Sequence, residues 1–351
     1  MNVRGDLMKK KDARIASMDI VKGLCIILVI IGHSGIKVPF VPIFWYSFYM
    51  SAFFLFSGYL FNYKDTVRKT VIYKIKSMYL LYLMWAIIPY SILGIIRIIS
   101  GKLAIIDFTK IIGKIVLGIK CPSEVAQLWF ICALFTVEIL WIIIDKLFKT
   151  RKSKIIFSAL LFTIGIVLNV LGIKRTFFRI DNALMLLPIF ELGVLYQRNK
   201  ENKIMNNFVY MKIPVLLCLT IINILLVILN CHVLKYGISI AGGQYGLYPL
   251  FYINAILGTL VALNYARIIH EKSKNIIKKV SEYFMFIGQN STITYITMNI
   301  LIFLIRYVLK NVFSLNKAMM PKVVFLIMLC IQIPLIKLLK KEKLKFLLAK
   351  F

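Results

Sequence analysis

Acidic residues are scarce in this chain: 14 Asp and Glu stand against 45 Lys and Arg in 351 residues, a formal net charge of +31. Such an imbalance in a soluble protein would point to nucleic acid, but the chain lacks any polar block large enough to fold as a domain in water. Hydrophobic residues make up 60% of it and recur in long segments from end to end. The class is therefore a polytopic membrane protein. No small-x-small cleavage site follows the basic N-terminus, and Lys22 interrupts the first apolar run, so a removed signal peptide is not expected. No internal repeat is evident, which argues against the repeat-built secondary transporters. Cysteine is sparse. Cys25, Cys132, Cys218 and Cys330 fall in apolar spans as small hydrophobes, leaving Cys121 and Cys231, both at outer span edges, as the pair a disulfide could join. Neither a resident metal nor a permanently bound cofactor is expected.

The apolar segments divide into ten spans, near residues 20–38, 45–63, 78–98, 126–145, 155–173, 181–197, 213–230, 247–267, 284–305 and 322–339. With the N-terminus inside, the segments on the inner side carry 30 Lys and Arg and those on the outer side 14, and Lys22, the last of the 45, belongs to the bundle. The positive-inside rule then places both termini in the cytoplasm and explains the charge by topology and anionic lipid headgroups, which excludes a nucleic-acid role. The expected fold is all-α: about ten transmembrane helices in one bundle, a single domain over residues 1–351, with residues 1–19 and about 340–351 as cytoplasmic ends. Residues 101–120, which alternate apolar pairs with Lys102, Lys110 and Lys114, read as an amphipathic helix lying on the outer leaflet.

The first span holds an unusual pair. Lys22 sits near its basic end and His33 near its far end, in segment Arg14 to Gly35 that is otherwise almost wholly apolar beyond Asp19. At about 100° per residue the eleven steps between them put both side chains on one stripe, about 16 Å apart, with Ile26 and Val29 between. One reading has the two side chains snorkel to opposite membrane surfaces. The other has the stripe turned to a polar interior where a long ligand touches both.

Other polar groups at bilayer depth carry the same two kinds of reading. Glu138 and Glu191, the latter just after Pro188, need cations or hydrogen-bond donors as partners, for structure or for function. Ser57-Gly58 in the aromatic second span would let a helix or a ligand approach the backbone closely. Asn290, Ser291 and Thr294, followed by Tyr295, serve as polar glue between helices or as part of a site. The basic loop 64–76, which includes Lys74 and Lys76, either anchors topology or holds the phosphates of a cytosolic ligand. The outer stretch 231–249 is rich in glycine and aromatics, as a sugar-stacking surface would be, and Trp45 and Tyr46 fit an interfacial belt.

Taken in order, these pieces resemble the acyltransferase 3 family of integral membrane acyltransferases, and more closely its fucose 4-O-acetylase-like branch. The resemblance is carried by Asp19-Ile-Val-Lys22-Gly23, an aliphatic run, and Gly32-His33: a basic residue, ten others, a histidine. Phe48 to Tyr59, Leu128-Trp129-Phe130, and Gly288-Gln-Asn-Ser291 with Tyr295 support it. Two positions depart from the family pattern, Tyr49-Met50-Ser51 where His-Met-Pro is usual, and Met298 where a histidine commonly follows the tyrosine. The resemblance implies transfer of an acetyl or other short acyl group from cytosolic acyl-CoA to a sugar hydroxyl of a surface polysaccharide or lipid-linked glycan, in a bacterial plasma membrane. It marks His33 as the catalytic base or acyl carrier, with Glu138 and Glu191 as candidates to orient it. Lys22, Ser57, Lys74, Lys76, Ser291 and Tyr295 are then the candidates to hold the donor. The competing class is a multi-span secondary transporter or exporter of a small polar solute.

Overall fold

A chain surrounded by hydrocarbon must satisfy its backbone hydrogen bonds internally, and this one does so almost entirely with helices. The computed structural model describes residues 3–36, 47–199, 210–234 and 238–348, with side chains described from residue 16 onward except at 233 and 234. The belt residues Trp45 and Tyr46 lie outside the described residues, as does the last part of the C-terminal tail. Thirteen α-helices and no strand occur among the described residues. Eight helical stretches, 16–34, 67–99, 123–147, 151–170, 213–232, 248–272, 291–311 and 320–339, are long and apolar enough to cross a membrane. Two more of the ten expected spans are helical as well. One is described over only 11 residues, Tyr49–Tyr59. The other, Ile180–Arg198, is diluted by Asp181, Asn182 and Glu191.

The chain groups into two compact units. The first comprises residues 1–60, 192–240 and 244–294, and the second 61–191, 241–243 and 295–351.

In the first unit, α1 (Val3–Ser34) packs mainly against α11 (Asn275–Gln289) and α10 (Tyr248–Lys272), with α2 (Tyr49–Tyr59) on its flank and α9 (Ile213–Leu234) against α10. The α1–α11 contact is a backbone contact. A Cβ added to Gly23 would lie 1.9 Å from the Phe284 carbonyl oxygen, and one added to Gly288 would lie 1.7 Å from that of Asp19. Small residues of this kind let two helices approach where no hydrophobic force drives them together in lipid. The motif segments Asp19–Gly23 and Gly288–Ser291, far apart in sequence, are thus brought together, and their glycines have a packing reason to be there. Gly288→Val should therefore prevent α11 from docking on α1. The measurement is size-exclusion elution and thermal unfolding in detergent; a monodisperse variant melting with the wild type would contradict the contact.

In the second unit, α3 (Val67–Lys74) runs through a π-helical turn, 75–80, into α4 (Leu81–Ile99), and α5 (Ile105–Val116) folds back on α4. Helix α6 (Trp129–Leu147) packs against the π turn, and α7 (Arg151–Val170) against α6. Helix α8 (Ile180–Arg198) belongs to this unit as far as Glu191, and α12 (Ser291–Asn311) from Tyr295; α13 (Met320–Leu339) completes it. At 12 residues, about 18 Å, α5 is too short to cross a hydrocarbon core of about 30 Å, which agrees with a surface helix.

Two expectations are corrected. The basic stretch 64–76 is not a loop beyond Thr66, whose hydroxyl caps α3 by accepting from the Lys69 amide at 3.1 Å, so its lysines stand on a helix continuous with the span. The ninth span does not begin at 284. Helix α11 ends at Gln289 and α12 starts at Ser291, because Asn290 leaves helical geometry (φ −114°, ψ 20°) and turns its side-chain amide back to donate to the Phe286 carbonyl at 2.7 Å.

Candidate active site

Helix α1 is continuous from Lys22 to His33, so the two side chains keep their eleven-residue register. His33 lies exposed in the last turn, next to the fully buried Ser34, whose hydroxyl donates to the Ile31 carbonyl at 2.9 Å. Gly35, at φ 78°, ends the helix in the left-handed conformation glycine adopts without strain. The stripe between the pair is not open. Ile26 and Val29 are 1% and 5% exposed, so a ligand cannot run along it in contact with both ends. Lys22 is held instead by Asp19, one turn below at 2.6 Å, and this pair satisfies the carboxylate as well as the cation. What remains of the expected arrangement is an exposed imidazole at one end of the helix and a neutralised cation at the other.

On the same unit, Ser57 is half-buried on α2, where Gly193 packs so closely that a Cβ there would sit 2.1 Å from the Leu55 carbonyl oxygen. The rings of Tyr59 and Tyr196 lie 5.5 Å apart. Ser291 opens α12, half-buried, directly after the buried Asn290.

The second unit holds the carboxylates. Lys74 meets Glu138 at 2.7 Å, with side chains 14% and 5% exposed, and the same ammonium lies 5.3 Å from the centre of the Phe61 ring. This supplies the cation that a carboxylate in a span requires. Glu191 is also buried, just after Pro188, and forms no ion pair among the described residues. Lys76, two residues beyond Lys74, is exposed and forms no ion pair among the described residues. Tyr295 is clasped to the 3-10 turn Ser123–Leu128: its hydroxyl donates to the Gln127 carbonyl, the Gln127 amide donates to the Tyr295 carbonyl at 3.4 Å, and its ring lies 5.3 Å from Phe130. Leu128-Trp129-Phe130 and Tyr295 are therefore one cluster. Met298, at the position of the missing histidine, is fully buried.

One residue was not singled out by sequence. Arg179 is buried beside Trp129, its guanidinium 5.5 Å from the ring centre, and it donates from Nε to the Asn182 side chain at 2.8 Å and from Nη2 to the Ala241 carbonyl at 2.8 Å. Phe178 and Arg179 adopt positive φ values of 51° and 53°, a conformation of bulky residues that costs of order 1–3 kcal/mol each and persists only when its surroundings enforce it. The readable signal was Arg179 with Asp181 and Asn182 at the mouth of an apolar run, where charges cannot be buried without partners.

Cys121 and Cys231 are both free thiols. Cys121 lies 3.4 Å from the Tyr82 hydroxyl, and burial raises its thiol above the usual range, against the opposing effects of that hydrogen bond and of the Arg179 charge. No group of three metal-ligating side chains occurs among the described residues.

A family model described as an acyltransferase domain matches residues 15–338. No curated protein matches this chain, and no solved structure does.

Proposed function

The chain belongs to the acyltransferase 3 family, whose model spans nearly all of it, and from that premise we propose that it moves an acetyl or other short acyl group from cytosolic acyl-CoA to a sugar hydroxyl of a surface or exported glycan. The observation that carries this reading is the exposed imidazole of His33 at the end of a continuous α1, eleven positions after the basic Lys22. Transfer from a thioester to a hydroxyl needs a base for the hydroxyl proton or a nucleophile that takes the acyl group first, and a neutral imidazole can do either near pH 7. As a base, His33 removes the acceptor proton while the sugar oxygen attacks the thioester carbonyl and the CoA thiolate leaves. As a nucleophile, it carries the acyl group between the two.

Lys74 and Lys76 stand at the basic end of the α3–α4 helix, where they meet the phosphates of the donor. Lys22 anchors the entry end of α1 through Asp19. Glu138 is already balanced by Lys74, so Glu191 is the carboxylate left to take part, and Ser57, Ser291 and Tyr295 are the candidates to hold the donor. The acceptor approaches from the opposite membrane face. The test is acyl-CoA turnover by purified protein with an added glycan, read as release of free CoA and a gain of one acyl group on the sugar. Thioester turnover without glycan modification would leave the acyltransferase and remove the sugar acceptor.

This reading requires both termini in the cytoplasm of a bacterial plasma membrane, supported by the excess of Lys and Arg on the inner segments. Single cysteines placed at Lys102 and Lys149 in a cysteine-free background should react with impermeant reagent from opposite sides. Labelling of both from one side would overturn the topology.

A further inference from the structure

Helices α4 and α5, with residues 120–124, line an open recess of about 530 Å³ that the acyl-transfer reading does not use. One of its lining residues, Tyr90, is held by packing specific to this pair. Phe108 of α5 sits on Gly94 of α4, where an added Cβ would lie 2.4 Å from the ring, and the Phe108 ring stacks on Tyr90 at 5.2 Å. Tyr90 lines the cavity, is 3% exposed, and its hydroxyl has no hydrogen-bond partner among the described residues. A buried hydroxyl without a partner is costly, so this one is a donor available to an acceptor that enters the recess.

The walls are cationic. Arg97 is paired with Glu124 at 2.5 Å, and Lys110 lies 3.9 Å from Asp107. Lys114 and Lys120 also line the cavity, and neither forms an ion pair among the described residues. Two positive charges are thus left over after internal pairing. On the same two helices Ile105 and Ile106 of α5 and Ile95 and Ile99 of α4 are exposed, as residues facing lipid tails would be. A cationic recess on helices that also expose isoleucines, one of them short and amphipathic, fits an amphiphile whose charged end enters the recess while its chains stay in the bilayer.

We propose that this recess is a binding site for the phosphate headgroup of an anionic membrane lipid, with Lys114 and Lys120 neutralising the phosphate and the Tyr90 hydroxyl donating to one of its oxygens. A phosphate offers several strong acceptor oxygens, so it suits an orphan donor and two free ammonium groups together. The proposal does not depend on the acyl-transfer reading, and its test reads binding.

The test is native mass spectrometry of the full-length protein in a neutral detergent, titrated with phosphatidylglycerol. One saturable lipid is expected to be retained by the wild type. Lys114→Gln/Lys120→Gln should weaken it by about fivefold for each lysine removed. Lys310→Gln/Lys317→Gln, which removes the same charge elsewhere on the exposed surface, should leave it unchanged. Tyr90→Phe, which alters no charge, should weaken retention measurably. Equal losses in the two lysine pairs would mean diffuse attraction and overturn the site. Retention unaffected by Tyr90→Phe would remove the hydroxyl from it. Binding of inorganic phosphate in place of the lipid, with no phosphatidylglycerol retained, would overturn the lipid assignment.

Discussion

His33→Ala should yield a protein that folds, elutes and melts as the wild type does, still binds acyl-CoA, and has lost most of its acyl transfer. Folding is spared because His33 is exposed at the last turn of α1, beyond the contacts of Asp19–Gly23 with α11 that hold this helix in place. If the imidazole acts as a general base, the loss is about 10²- to 10⁴-fold, the usual worth of such a group. A nucleophilic imidazole would lose more, and wild-type protein given donor alone would carry acyl label on His33. Lys22→Ala should behave differently. It leaves the buried Asp19 without its cation, so stability falls along with donor use, and Lys22→Arg should restore both. Acyl transfer by folded His33→Ala in liposomes decides the matter: wild-type turnover there would remove the histidine from the mechanism and reopen the transporter reading.

The helical class, eight of the ten expected spans and the short amphipathic helix were legible in the sequence because each follows from length and periodicity alone. Partners across the structure were not. The stripe from Lys22 to His33 was correct as geometry on an isolated helix, but periodicity does not say what covers a face, and Ile26 and Val29 turn out to be packed. Asp19 could be excluded as a partner for His33 from its distance along the helix, yet its pairing with Lys22 depends on an (i, i+3) contact that is one of several options open to both groups. Gly23 and Gly288 read as motif residues, whereas their reason is mutual: each is small because the other's helix backbone is there. The same holds for Arg179, whose partners come from segments near residues 129, 182 and 241, so that no local window contains the site. The break at Asn290 was hidden by an apolar count that runs on through two helices, and only the side-chain bond to Phe286 ends the first of them.

Glu138→Ala should destabilise the protein by about 3–5 kcal/mol, since it strips a buried ammonium of the counter-charge it meets at 2.7 Å. The reverse removal, Lys74→Ala, should cost a comparable amount for the same reason. Both single variants would therefore lose activity by unfolding, whatever part the two residues play in the reaction, and neither can separate anchoring from donor binding. The double variant Lys74→Met/Glu138→Leu can. Replacing both partners of a buried pair with apolar groups of similar size is often neutral or stabilising, so this protein should melt near the wild type. If Lys74 also meets the donor phosphates, the double variant should show a raised KM for acyl-CoA and an unaltered KM for the acceptor, and the defect should shrink at high salt, where the wild-type attraction is already screened. Lys76→Gln provides the comparison, because Lys76 is exposed and its loss should raise the donor KM without lowering the melting temperature. A stable double variant with wild-type donor KM would assign Lys74 to holding α3 against α6, and would leave the exposed lysine as the phosphate contact at this end of the helix.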